Sequence, residues 1–178
     1  MRIFTDLEFS SLTDGAELIS IGACTESGES FYVEASPLPQ HCSAFVQAEV
    51  IPHLEKGSSS IPVNEMEARF AAWLSRWQKV SLIVDSDWDC FILRKTFAGE
   101  NSRAPGPLQL RRHDKPPLTV ELRLDSTYEG DGLIAFFDTL YKMERELGFR
   151  KHHALDDARA LRAAVMAAEN TVRAKGAI

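Results

Sequence analysis

The sequence predicts an α/β domain: a mixed five-stranded sheet, its first three strands antiparallel, flanked by helices. Three observations carry this reading. Apolar and polar residues alternate from the second residue onward, three strand-like segments before residue 36 are separated only by short turns, and strand-like and helical stretches then follow one another to the C-terminus.

Residues 2–9 place Ile3, Thr5, Leu7 and Phe9 on one face and Phe4, Asp6 and Glu8 on the other, the alternation of a strand. Thr13-Asp14-Gly15 makes a turn, and residues 17–24 form a mostly apolar second strand. Glu26-Ser27-Gly28 turns the chain into a return strand over 30–35. Pro37 and Pro39 break the pattern. A short helix starts near Ser43, with Phe45, Val46 and Val50 on one side. Asn64 followed by Glu67 predicts a capping box, and Met66, Phe70, Trp73, Leu74 and Trp77 predict an amphipathic helix over 64–78 with both tryptophans in the core. Residues 80–84 make a short buried strand and 87–98 a helix. Residues 99–117, with four prolines and a basic cluster of Arg103, Arg111, Arg112 and Lys115, predict a loop. A fifth strand follows over 118–124, then helices over 131–147 and 155–172.

A chain of 178 residues with 44% hydrophobic content suits one domain, 1–178, with a sizeable core. No apolar run reaches bilayer length and the N-terminus lacks a signal-like apolar stretch, so a cytoplasmic protein without a membrane partner is expected. Three cysteines without CxxC spacing argue against a disulfide framework or zinc-thiolate site and predict buried, reduced thiols. A net charge of −6 counts against nucleic-acid binding, unless several carboxylates hold divalent cations.

Three separated segments could carry chemistry. Asp6 and Glu8, two apart on a strand, project to one side, where like charges repel unless a cation sits between them. Hard oxygen donors of this kind suit Mg²⁺ or Mn²⁺. Read alone, the pair is better explained as a solvated strand end. The second segment, Asp85-Ser86-Asp87-Trp88-Asp89, follows a buried strand, at the carboxyl end where sites form in α/β sheets. One of its aspartates is expected to cap the next helix. Asp89 is expected to face the cations, with Asp85 and Asp87 as alternatives. In the third segment, Arg150-Lys151-His152-His153-Ala154-Leu155-Asp156-Asp157-Ala158, a loop histidine can lean over a carboxylate in the first helical turn and take a proton near neutral pH. Helix capping by Asp156 is the competing role.

Taken together, these motifs resemble the DEDDh 3′–5′ exonucleases, a ribonuclease H-like family. Asp6-Leu7-Glu8 matches that family's opening Asp-x-Glu. Asp85 to Asp89 stands where the family usually has Asn, three residues, then Asp, with Asp85 replacing the Asn. His152-His153-Ala154-Leu155-Asp156-Asp157-Ala158 matches His-x-Ala-x-x-Asp-Ala and selects His152 and Asp157. The stretch from Leu147 to Arg159 is similar to small stand-alone bacterial 3′–5′ exoribonucleases.

The resemblance implies a ribonuclease H-like sheet and two divalent cations, Mg²⁺ or Mn²⁺, held by Asp6, Glu8, Asp89 and Asp157. It also implies His152 as general base and nucleoside 5′-monophosphates released from single-stranded RNA, favoured over DNA. Asp6, Glu8, Asp89, His152 and Asp157 are thus the expected catalytic set. Phe9, Trp88, Arg150 and Lys151 are the expected substrate contacts, with Phe149 another candidate for stacking and Arg111, Arg112 and Lys115 for phosphates. A homodimer is compatible with the family. A DNA-directed proofreading-type exonuclease and a non-catalytic binding domain of the same fold remain the alternatives.

Overall fold

The computed structural model describes residues 1–112, 115–124, 128–146 and 148–176. Its strands are β1 (Arg2–Phe9), β2 (Leu18–Thr25), β3 (Ser30–Ala35), β4 (Ser60–Ile61), β5 (Ser81–Val84), β6 (Gly106–Arg112) and β7 (Lys115–Leu124). They form one mixed sheet in the order β4-β3-β2-β1-β5-β7-β6. β1, β2 and β3 are antiparallel neighbours, whereas β5 runs parallel to β1 and β7 parallel to β5. The helices are α1 (Val63–Leu74), α2 (Asp87–Ala98), α3 (Gly130–Glu144) and α4 (Ala154–Gly176).

Alternation on β1 sorts the layers. Ile3 and Leu7 pack with Met66, Phe70 and Leu74 of α1 and Ile92 and Leu93 of α2, while Phe4 packs with Phe136 of α3 and Leu161 and Val165 of α4. Asp6 and Glu8 therefore lie on the side covered by α4. No helix among the described residues is long and apolar enough to cross a membrane.

Among the described residues seven strands, not five, make the sheet. The larger addition is β6, which pairs antiparallel with β7 where a loop over 99–117 was expected. The prolines of 99–117 obscure the pattern, but the one within β6, Pro107, stands on an edge strand, where an N–H facing solvent makes no ladder bond. β7 accordingly starts at Lys115 rather than at 118. The second addition, β4, is two residues long and pairs with the end of β3.

Three local expectations also change. α1 begins after Pro62 without a side-chain cap, because Glu67 is drawn away to the Arg111 backbone N–H (2.6 Å) and its Nε (3.0 Å) on β6. The same helix ends at Leu74, where the Ser75 hydroxyl donates back to the carbonyls of Ala71 and Ala72 and helps close the last turn, so Trp77 packs against Trp73 from outside the helix. α2 is capped by Ser86, whose hydroxyl accepts from the Trp88 N–H at 3.1 Å, and not by any of the three aspartates around it. α3 stops at Glu144, and residue 147, the expected end of that helix, lies outside the described residues. Cys24 and Cys90 are buried as expected, whereas Cys42 is only half-buried.

Candidate functional site

Asp6 of β1 is paired in register with Gly22 of β2, and that glycine fixes where α4 can sit. A Cβ on Gly22 would lie 2.1 Å from the backbone of Ala154 and Leu155, so only glycine lets the start of α4 rest directly on the sheet. α4 thereby brings Asp157, in its first turn, over the strand that carries Asp6 and Glu8. On the other side of β1, parallel β5 ends beside it and leads through Asp85 into α2, whose first turn holds Asp89.

These elements enclose a cavity of about 500 Å³ lined by Asp6, Glu8, Asp85, Asp89, His152 and Asp157. Two donor groups lie within it. Ligand atoms of Glu8, His152 and Asp157 fall within 4.8 Å of one another, as do those of Asp6, Asp85 and Asp89. Among the described residues lining the cavity, Lys151 is the only lysine or arginine, and it is paired with Glu144 at 3.0 Å.

Crowding shifts Asp6, Glu8, Asp85, Asp89 and Asp157 the same way. Burial, then the charge of Asp89, raises the Asp6 carboxyl well above its ordinary range, and burial followed by Asp85 does the same to Asp89. Burial, with the charges of Asp157 and Asp85, pushes Glu8 up to about 8. Burial also raises Asp157, to about 7, against a lowering backbone hydrogen bond from His152. Carboxyl oxygens of Asp6, Asp85 and Asp89 lie within 4.8 Å of one another, where carboxylates repel unless a proton or a cation sits between them. Protons here do what a cation could do.

His152 is half-buried at the mouth, edge-on to the Phe45 ring at 4.9 Å, with a left-handed backbone (φ 62°). Burial and neighbouring Lys151 lower its proton affinity below the ordinary value, so it is neutral at pH 7 and free to accept a proton.

The expected substrate contacts divide. Phe9 and Lys151 line the cavity. Trp88 does not. Its ring packs against Phe9 (6.1 Å), Phe91 (5.6 Å) and the Arg103 guanidinium (3.6 Å). Arg150 is also elsewhere, donating to Asp156 at 2.7 Å and to Glu55 at 3.3 Å, and Phe149 is not among the lining residues. Arg111 and Arg112 line a separate depression beside Glu67, and the Lys115 side chain lies outside the described residues. Asp87 faces Arg103 at 3.8 Å rather than the acidic group. Asp156, the competing carboxylate, is held by Arg150 and by Arg159 (3.2 Å) and does not enter the cavity.

Sequence reasoning missed the apolar wall. Leu12 and Phe45, 68% and 54% exposed, line the cavity together with Phe136 and Leu140 of α3. The apolar side of residues 45–50 was visible, but nothing local said which cavity it would face.

No protein-family model matches the chain, and no curated protein matches it closely.

Proposed function

We propose that the protein is a metal-dependent 3′–5′ exonuclease that removes nucleoside 5′-monophosphates from single-stranded RNA. The observation that carries the reading is the meeting of Asp6, Glu8, Asp85, Asp89, His152 and Asp157, from three separated segments, around one cavity in two three-donor groups. The inner strand order β3-β2-β1-β5-β7, with β2 alone antiparallel to its neighbours, supports the ribonuclease H-like layout that the sequence motifs imply.

The donors fit divalent cations. They are hard carboxylate oxygens, crowded closely enough to share an ion and left without a basic partner other than Lys151. Asp6, Asp85 and Asp89 would hold one cation, and Glu8 and Asp157 the other. When bound, such ions supply ionisation of water and neutralisation of charge on the departing oxygen. The imidazole nitrogen of His152 facing Glu8 and Asp157 accepts the proton of the attacking water. Leu12 and Phe45 provide apolar surface for the terminal base, and Lys151 meets a phosphate once it leaves Glu144. A bounded cavity of this size suits a strand end rather than a duplex lying across the surface. RNA is favoured over DNA through the resemblance of residues 147–159 to stand-alone exoribonucleases.

The test uses 5′-labelled single-stranded RNA and DNA of one sequence, with Mg²⁺ or Mn²⁺ and with EDTA. The expected result is a ladder shortening from the 3′ end, faster on RNA and abolished by EDTA. Equal products with and without EDTA would overturn the reading, and a preference for DNA would redirect it to a proofreading-type enzyme.

A further inference from the structure

His153 is a buried group with no role in the chemistry above. It is 1% exposed, and neither ring nitrogen has a hydrogen-bond partner among the described residues. Its ring lies on Tyr32 with centroids 4.5 Å apart. Nε2 is 3.6 Å from Glu55 Oε1 and Nδ1 is 3.7 Å from Asp156 Oδ2, both just beyond hydrogen-bond length. An unpaired buried polar group costs roughly 1–3 kcal/mol, so this position is unfavourable as it stands.

The cradle around the ring is firmly tied. Arg150 Nε donates to Asp156 Oδ2 and Arg150 Nη2 to Glu55 Oε1, while Arg159 holds Asp156 Oδ1. The Tyr32 hydroxyl donates to Glu34, which also accepts from the Glu55 and Lys56 N–H groups and the Ser60 hydroxyl. The His153 carbonyl accepts from the Asp156 and Asp157 N–H groups at 2.8 and 3.0 Å, so the same residue begins the helix turn bearing Asp157. On its other side stands His152 in its left-handed conformation, which is sparsely populated and persists only where its surroundings hold it.

We infer that His153 is a positioning residue for His152. Its ring is held in a polar cradle behind the loop, and it closes to a hydrogen bond with Glu55 or Asp156 as His152 takes its working place over Glu8 and Asp157. The movement required is roughly 0.7 Å, the excess of the 3.6 Å separation over an ordinary bond. A misplacement of that size at a reacting group can cost on the order of 10²-fold in rate. The inference rests on the proposed role of His152 as general base.

His153→Phe keeps the ring against Tyr32 and removes both nitrogens, and His153→Gln restores a donor. The test compares kcat and KM on labelled RNA, Mn²⁺ affinity by electron paramagnetic resonance, and thermal unfolding. The Phe variant is expected to be at least as stable as the wild type, since it removes two unpaired polar atoms. It should bind Mn²⁺ and RNA within about twofold of wild type and lose about 10- to 100-fold in kcat. The Gln variant should recover most of that loss. If the Phe variant does not fold, His153→Leu against His153→Gln gives the same contrast. Wild-type kcat in the Phe or Leu variant overturns the inference and leaves the proposed function standing, as does a kcat loss that Gln does not recover. A wild-type protein without cation-dependent nucleotide release overturns both.

Discussion

The two sides of the first turn of α4 carry nearly the same residues and do opposite things. Asp156 and His153 lie buried outside the cavity, where Arg150 and Arg159 bind Asp156 and Arg150 offsets its burial and holds its carboxyl below the ordinary range. Asp157 and His152 face the cavity, where burial and the surrounding acids raise Asp157 to about 7. Adjacent carboxylates thus differ in their partners, not in their type. A paired buried charge builds scaffold, and a charge left among its own sign marks a place for something positive.

Exchanging one carboxylate at a time sharpens this contrast most. Asp157→Asn should abolish cation-dependent hydrolysis while leaving the metal-free protein as stable or more so, because a repelling charge is gone. Asp156→Asn should do the reverse, lowering stability by about 1–3 kcal/mol through the loss of its arginine bonds and sparing most of kcat. Denaturant unfolding and nucleotide release on both variants read the contrast. Loss of activity in both without loss of stability in either would erase it.

His152→Ala tests the cavity side alone. General-base help is worth about 10²–10⁴-fold, so kcat should fall by that much while Mn²⁺ affinity changes little. A variant equal to wild type at saturating Mg²⁺ removes His152 from the chemistry.

Gly22→Ala disturbs both sides together. Its Cβ would meet the Ala154–Leu155 backbone at 2.1 Å, and backbone cannot swing aside as a flexible side chain can. The helix start must lift from the sheet, at a cost of about 1–3 kcal/mol, the usual range for overpacking, and Asp157 moves with it. Thermal unfolding and Mn²⁺ affinity should fall together. An unchanged affinity would show that the close approach does not set the site.

Much of the fold was legible because its signals are local. The alternation on β1, the turns before β2 and β3, and the apolar spacing of α2 depend only on neighbours in sequence, and their bounds agree with the structure to within a residue or so. The sequence also named the acids and histidine that share the cavity, since their order along the chain is itself a pattern. What failed depends on distant partners. Glu67 reads as a capping residue until Arg111 of β6 claims it. Trp88 reads as a stacking surface for substrate, but it packs against Phe9 and Arg103 and does not line the cavity. Gly22 reads as an ordinary strand residue, although a glycine inside a strand is a signal of close backbone approach and could have been taken as one.

The smallest expected effect separates protons from cations as occupants of the cavity. Glu8, ordinarily near 4.5, is raised to about 8 in the folded protein, and Asp157, ordinarily near 3.8, to about 7. Between these ordinary and raised values the folded state binds protons that the unfolded chain has released, so stability falls as pH rises through that window. Asp156 works in the opposite sense, but its contribution is lost only as pH falls below the ordinary aspartate value, outside the window. His152 and His153, both held below the ordinary histidine value of 6.5, oppose this fall only below that pH, so metal-free protein should lose thermal stability most clearly from about pH 6.5 to pH 8. Saturating Mg²⁺ should flatten that slope, because the ion replaces the protons and binds only the folded form. Asp157→Asn should flatten it partly without metal. A metal-free protein whose melting temperature is constant over this range would show that the cavity acids are compensated by something other than protons, and the distinction between the two sides of α4 would lose its electrostatic basis.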